Sequence, residues 1–285
     1  MPAGSGAMAA SEPLLPPAAR SALGSRIAVG LFLAVVAVAD IWAGGPAFAT
    51  MVAIGVMLVF REWAVMHRTL PGLMVAGLAV LLLVSVLAHL GRVQDALVLL
   101  AIAAAGLLLI AFALGRPGKR WLSTGLLYAG LPAIALIWLR AQPDGFALVM
   151  WTMGLVWATD IFAYVAGRAI GGAKVWPAIS PNKTWAGLAG GMAAAGLFSA
   201  LFALAAGWLV APLLAALLGA GLAVLAQAGD FFESWLKRRA GVKDSGRLLG
   251  AHGGVMDRVD GLVPVACAVA LWMGLSADRL GAAPA

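Results

Sequence analysis

GLAVLAQAGDFFESWLKRR, residues 221–239, is the stretch that decides the fold. The run GLAVLAQAG is almost wholly apolar, and the chain then sets Asp230, Glu233, Ser234 and Lys237 at i, i+3, i+4 and i+7, on one face of a continuing helix. This spacing reads as a membrane helix whose last turns carry a polar stripe at the membrane border. A carboxylate so close to hydrocarbon is costly, and such residues are functional by default unless a partner neutralises them. The plain alternative is an i,i+4 pair of Glu233 with Lys237 that steadies the helix end.

Working outward, the same apolar texture covers nearly the whole chain. Of 285 residues, 63% are hydrophobic and only 11% charged, and the mean hydropathy is +1.00, outside the range of soluble globular domains. Runs of about 17 to 25 apolar residues, long enough to cross a hydrocarbon core roughly 30 Å thick as helices, recur from end to end. A barrel would show shorter alternating strands instead. The predicted fold class is therefore all-α, a polytopic integral membrane protein with about nine transmembrane helices. The predicted spans are 27–43, 46–66, 70–90, 94–115, 121–140, 145–164, 188–210, 211–235 and 259–275.

Residues 1–26, rich in Ala, Pro and Ser, read as a disordered cytoplasmic segment without the basic and apolar regions of a cleaved signal. Residues 27–144 read as N-terminal transmembrane helices. Residues 145–285 read as a catalytic membrane region with cytoplasmic loops at 165–187 and 236–258. Cys267 is the single cysteine, so an intramolecular disulfide framework and a cysteine metal cluster are excluded, and its place in an apolar run reads as packing.

Nine spans place sixteen of the nineteen Lys and Arg residues on the side of the N-terminus, leaving Arg92, Arg140 and Arg279 opposite. Since cytoplasmic loops collect basic residues, the N-terminus is expected in the cytoplasm and the C-terminus outside. The net charge of +7 is then explained by topology and anionic headgroups, with no nucleic acid partner. The small residues of GLAGGMAAAG, 187–196, are expected to let helices approach closely.

Eleven of the charged residues fall between positions 230 and 260, and five of these are acids: Asp230, Glu233, Asp244, Asp257 and Asp260. Acids contribute little to orientation, so a loop serving topology alone does not account for them. Acids at the two ends of this loop could converge on a hard divalent cation such as Mg²⁺, which takes carboxylate and phosphate oxygens. Lys237, Arg238, Lys243 and Arg258 surround the same place with positive charge, the arrangement that phosphoryl transfer uses. Metal and cations together point to a nucleoside triphosphate. Gly246, Gly250, Gly253 and Gly254 could bring backbone amides close to phosphate, and His252 reads as a phosphate contact or structural hydrogen bond. A second polar patch runs from Asp160 to Gly187, where Ser180-Pro181-Asn182-Lys183-Thr184 precedes a helix and offers an anion cradle, or else an ordinary capped turn.

The pattern of Ser234, Lys237-Arg238, Lys243-Asp244, Gly246, Leu249-Gly250, His252-Gly253-Gly254, Asp257-Arg258 and Asp260 resembles the C-terminal signature of the phosphatidate cytidylyltransferases, the CDP-diacylglycerol synthases. The block from Asp160 through Gly167-Arg168 and Ser180-Pro181 to Lys183-Thr184 is similar to a second block of that family, with Ala186 where Glu is common and Asn182 where Lys is frequent. The resemblance implies attack of a phosphatidic acid phosphate on the α-phosphorus of CTP, giving CDP-diacylglycerol and pyrophosphate. It implies Asp230 and Asp257 as ligands of Mg²⁺, with room for a second, monovalent cation.

On this reading Asp230, Asp257, Lys237, Lys243 and Arg258 carry the chemistry. Ser180, Lys183, Thr184, Ser234, Arg238, Asp244, His252, Gly253, Gly254 and Asp260 shape the substrate pocket. The partners implied are CTP, phosphatidic acid and membrane lipids, with a homodimer left open, and the place is the inner membrane with a cytoplasmic site. The rivals are a CTP-dependent lipid kinase, a CDP-alcohol phosphotransferase, disfavoured because Leu-Val-Pro-Val-Ala follows Asp257-Arg-Val-Asp260-Gly261, and an ion-coupled transporter, which would spread ionisable groups through several spans.

Overall fold

The computed structural model describes residues 30, 34–113, 120–246, 248 and 253–279. A short apolar helix, α1 (Ala34–Ala43), leads into the unit formed by residues 39–285. Seven helices long and apolar enough to cross a membrane follow: α2 (Gly45–Met66), α3 (Pro71–His89), α4 (Val93–Ala113), α5 (Arg120–Ala141), α6 (Gly145–Ile170), α7 (Trp185–Ala205) and α8 (Pro212–Arg239). A single-turn helix, α9 (Met256–Val259), and α10 (Leu262–Arg279) close the chain. The architecture is that of a helical polytopic membrane protein. The seven long helices overlap seven of the nine predicted spans, α6 and α8 running several residues past theirs, while the described parts of the first and last spans form shorter apolar helices.

Proline opens α2, α3 and α8 in their first turn, where its missing N–H leaves no partner wanting. Helix α6 stops at Gly171 and Gly172, whose φ values of 69° and 90° turn the chain out of the helix. Between α6 and α7 lies an antiparallel hairpin, β1 (Lys174–Trp176) and β2 (Ser180–Thr184), pairing Lys174 with Thr184 and Trp176 with Ser180. This hairpin is absent from the all-α reading; its strands are too short for a period-two signal to stand out. It delivers Thr184 as the N-cap of α7, where the side chain accepts from the Gly187 N–H at 3.0 Å.

Helix α5 is the hub, touching α2, α3, α4, α6 and α10. Its apolar window is 72% buried, against 28% for α3, α4 and α7. Around α2 the packing uses large side chains: Phe60, Trp63, Leu81, Leu100, Leu122 and Leu126 are all essentially inaccessible. Helix α7 instead lies along α6 and α8 by backbone approach. A Cβ at Gly187 would stand 2.8 Å from the Ala163 carbonyl oxygen of α6, and one at Gly196 would stand 2.9 Å from the Ala216 carbonyl oxygen of α8. The close approach expected of residues 187–196 is therefore present, and small side chains provide it.

Helix lengths decide where the polar groups emerge. At 1.5 Å per residue, the 28 residues of α8 span about 42 Å, well beyond a hydrocarbon core of roughly 30 Å, so Asp230 to Arg239 occupy its far end. The ends of α2 and α8 and the start of α5 meet on that face. There the Trp63 indole N–H donates to the Trp121 carbonyl at 2.6 Å, and the Arg239 guanidinium lies 5.1 Å from the Trp121 ring and 5.6 Å from that of Trp235.

Candidate active site

Four carboxylates meet where α8 ends and α9 begins. Oxygens of Asp230, Glu233 and Asp260 lie within 4.8 Å of one another. Glu233 is 1% exposed, and its Oε1 is buried without a hydrogen-bond partner among the described residues. Its Oε2 accepts from the Lys237 ammonium at 2.8 Å, one turn further along α8. The same ammonium reaches Asp257 Oδ1 at 2.6 Å, so the pair read as a possible helix-end brace also joins α8 to α9.

Asp257 is placed differently from Asp230. Besides Lys237, it accepts from the Ser245 N–H at 3.2 Å, the Ser245 hydroxyl at 2.9 Å and the Gly254 N–H at 2.8 Å, all on Oδ2. Burial alone would raise this carboxyl, but the Lys237 ammonium and the Gly254 amide outweigh it and hold it at about 2. Asp260 is held close to Asp230 and Glu233 and accepts from the Gly261 N–H at 2.8 Å. A crowded acid group of this kind calls for positive charge between its members.

Lys183 supplies some of that charge. Reaching from β2, its ammonium forms an ion pair with Asp230 and stands 4.5 Å from the centre of the Phe231 ring. The Ser234 hydroxyl donates to Asp230 Oδ1 at 3.3 Å. Asp230 and Lys183 also line a cavity of about 480 Å³ between α6, the hairpin, α7 and α8, together with Asp160, Arg168, Lys174 and Gln227. Thus the second polar patch faces the same acids as the signature block.

The remaining residues picked from the sequence are distributed unevenly. Thr184 is buried at the cavity wall with its hydroxyl engaged as the α7 cap, and Ser180 opens β2 opposite Trp176. Arg238, Lys243, Asp244 and Arg258 are exposed. His252 lies outside the described residues. Gly253, at φ 79°, turns the chain where a Cβ would come 2.8 Å from Asp257 Oδ2. A Cβ at Gly254 would overlap the Ser245 hydroxyl and Glu62 Oε2, so glycine there is required by close approach.

Glu62 is the residue that sequence reading passed over. It sits on α2, 4% exposed, and receives N–H bonds from Val255 and Met256 at 2.9 Å each and the Ser245 hydroxyl at 3.1 Å. Its signal was available: an acid inside an apolar span at Phe60-Arg61-Glu62-Trp63, the same feature that marks Asp230.

A bundle of apolar helices with buried acids and lysines gathered at one end defines a helical polytopic membrane protein with a charged site. The comparisons narrow the class. The profile described as "Cytidylyltransferase family" matches residues 24–276, and the chain belongs to that family. It is 40% identical over 266 residues to a phosphatidate cytidylyltransferase of Brucella abortus (strain 9-941), covering 90% of this chain and 96% of the relative. It is 38% identical over 242 residues to one of Pseudomonas aeruginosa, covering 80% and 89%, and 35% identical over 172 residues to one of Rickettsia bellii, covering 58% and 74%.

Proposed function

We propose that this protein is a phosphatidate cytidylyltransferase, forming CDP-diacylglycerol and pyrophosphate from CTP and phosphatidic acid. The observation that carries this reading is the convergence of Asp230, Glu233 and Asp260 with Lys183 and Lys237 at the end of a membrane helix. An oxygen of the lipid phosphate forms a bond to the α-phosphorus of CTP, the bond from that phosphorus to the bridging oxygen of the β-phosphate breaks, and the electron pair leaves with pyrophosphate. No base is needed, because the lipid phosphate is already ionised near neutral pH. Lys183, Lys174 and Arg168 line the cavity and offer charge to phosphate oxygens, while Lys237 is placed to pass between carboxylate and phosphate.

The acid group fits a hard divalent cation: three acids within 4.8 Å, one with an orphaned buried oxygen. We assign Mg²⁺ to the group of Asp230, Glu233 and Asp260; Asp257, the second ligand beside Asp230 in the sequence reading, borders that group with its oxygens on Lys237, Ser245 and Gly254. When bound there, the metal would neutralise triphosphate charge. Lys243, Arg238 and Arg258 are the outer cations of the site, with Asp244, Ser234, Ser180, Thr184, His252, Gly253 and Gly254 as its polar frame. Because CTP is cytosolic and the basic residues favour the site's face, we place that face in the cytoplasm. Nine crossings of the inner membrane then follow, with the N-terminus inside and the C-terminus outside.

The test uses protein purified in detergent. Pyrophosphate should appear from CTP only when phosphatidic acid and Mg²⁺ are both supplied. Release without the lipid, or transfer of the γ-phosphoryl group with CDP as product, would replace this reading with hydrolysis or a lipid kinase.

A further inference from the structure

We infer that Glu62 is a positioning residue for the transfer reaction, acting from the N-terminal helices to hold the signature loop in its working shape. The inference rests on the function proposed above and extends it to a residue outside both signature blocks. Glu62 Oε1 accepts from the Val255 N–H and Oε2 from the Met256 N–H, the N-cap and first amides of α9, and helix α9 carries Asp257. A carboxylate on these amides does for α9 what an N-cap side chain does for an ordinary helix, and its negative charge suits the helix start. A four-residue helix cannot hold itself in place, so the anchor must come from elsewhere.

The anchor reaches the chemistry through one hydroxyl. Ser245 Oγ lies 3.1 Å from Glu62 Oε2 and 2.9 Å from Asp257 Oδ2, and its single proton can serve only one of them at a time. Asp257 in turn grips Lys237, and Lys237 grips Glu233. Loop residues on both sides are cut to fit the carboxylate: a Cβ at Gly246 would stand 2.6 Å from Glu62 Oε1, and one at Gly254 would overlap Oε2. Glu62 accounts for the glycine at 246, and together with the Ser245 hydroxyl for the glycine at 254.

The replacement Glu62→Gln keeps the size but turns an amide N–H₂ toward groups that are themselves donors. Hydrogen–deuterium exchange of peptides covering 253–256 in detergent should quicken about tenfold or more, the loss expected for bonds to a charged acceptor. The kcat for CDP-diacylglycerol formation should fall about tenfold to hundredfold, the usual consequence of removing an orienting partner behind a metal site. KM for CTP and thermal unfolding should move little, and Glu62→Asp should restore part of both losses. Unchanged exchange, or faster exchange with kcat within about twofold of the original, overturns the role. So does a loss of kcat that only follows the loss of folded protein. If the Gln variant fails to insert, Ser245→Ala, which removes only the bridging hydroxyl, should lower kcat about twofold to tenfold, and no change overturns the role. A wild-type protein that makes no CDP-diacylglycerol, yet shows the exchange difference, would sink the reaction while supporting Glu62 as the loop's anchor.

Discussion

Helices α2 to α5 and helices α6 to α8 solve the same packing problem in opposite ways. The first group fills the space between helices with large side chains, Phe60, Trp63, Leu81 and Leu100 among them. The second removes side chains until backbones nearly touch, as at Gly187, Gly191, Gly196 and Gly219. Lipid tails are as apolar as leucine, so neither group gains much from hydrophobic burial, and dispersion contacts must hold both. A seam of glycines leaves little slack, and it is this seam that sets the Asp160 face of α6, the hairpin and the acid end of α8 around one cavity. The bulkier group forms the frame and contributes Glu62 and the Trp63–Trp121 contact to the site's flank.

The contrast can be broken first at the acids. Asp230→Asn should lower kcat about a hundredfold to thousandfold while the protein still inserts, because it removes charge at the centre of the site without changing size. Activity retained in membranes would show that this end of α8 is not the reacting centre. Next in size, Trp63→Ala should cost about 3 to 5 kcal/mol in reversible unfolding from detergent, the cost of emptying a filled core position. The opposite change serves the glycine seam. Gly219→Ala would drive a Cβ into Ser199 and to 2.6 Å from the Ala195 carbonyl oxygen, and should cost about 1 to 3 kcal/mol with a parallel loss of activity. The control is Gly106→Ala on α4, where a Cβ meets nothing within 4 Å; it should be neutral or stabilise by up to about 1 kcal/mol. If Gly106→Ala and Gly219→Ala behaved alike, the distinction between the two groups would fail.

Much of the site could be read in advance because a membrane makes polar residues conspicuous. Asp230, Lys237, Asp257 and Asp260 stood out against apolar spans, and the structure brings all four to the junction of α8 with α9 and α10. Lys183, expected beside Ser180 and Thr184 in an anion cradle, pairs with Asp230 across the helices, while Thr184 spends its hydroxyl on the α7 cap. Position in the sequence pairs Asp257 with Asp230, yet its oxygens go to Lys237, Ser245 and Gly254. Such choices depend on distances between elements far apart in the chain, and residue spacing within one helix does not contain them.

From sequence alone came the membrane setting, the helices, the place of the polar stripe on α8 and the family resemblance. These follow from local matters: how many apolar residues cross a bilayer, and which side chains share a helical face. Only the tertiary structure decided which acids share a site, that a hairpin presents Lys183 to them, and that Glu62, nearly two hundred residues from Met256, holds the loop. Those outcomes belong to packing, because a buried carboxylate takes whatever donors the neighbouring helices bring within about 3 Å, and that meeting is settled only when the bundle closes.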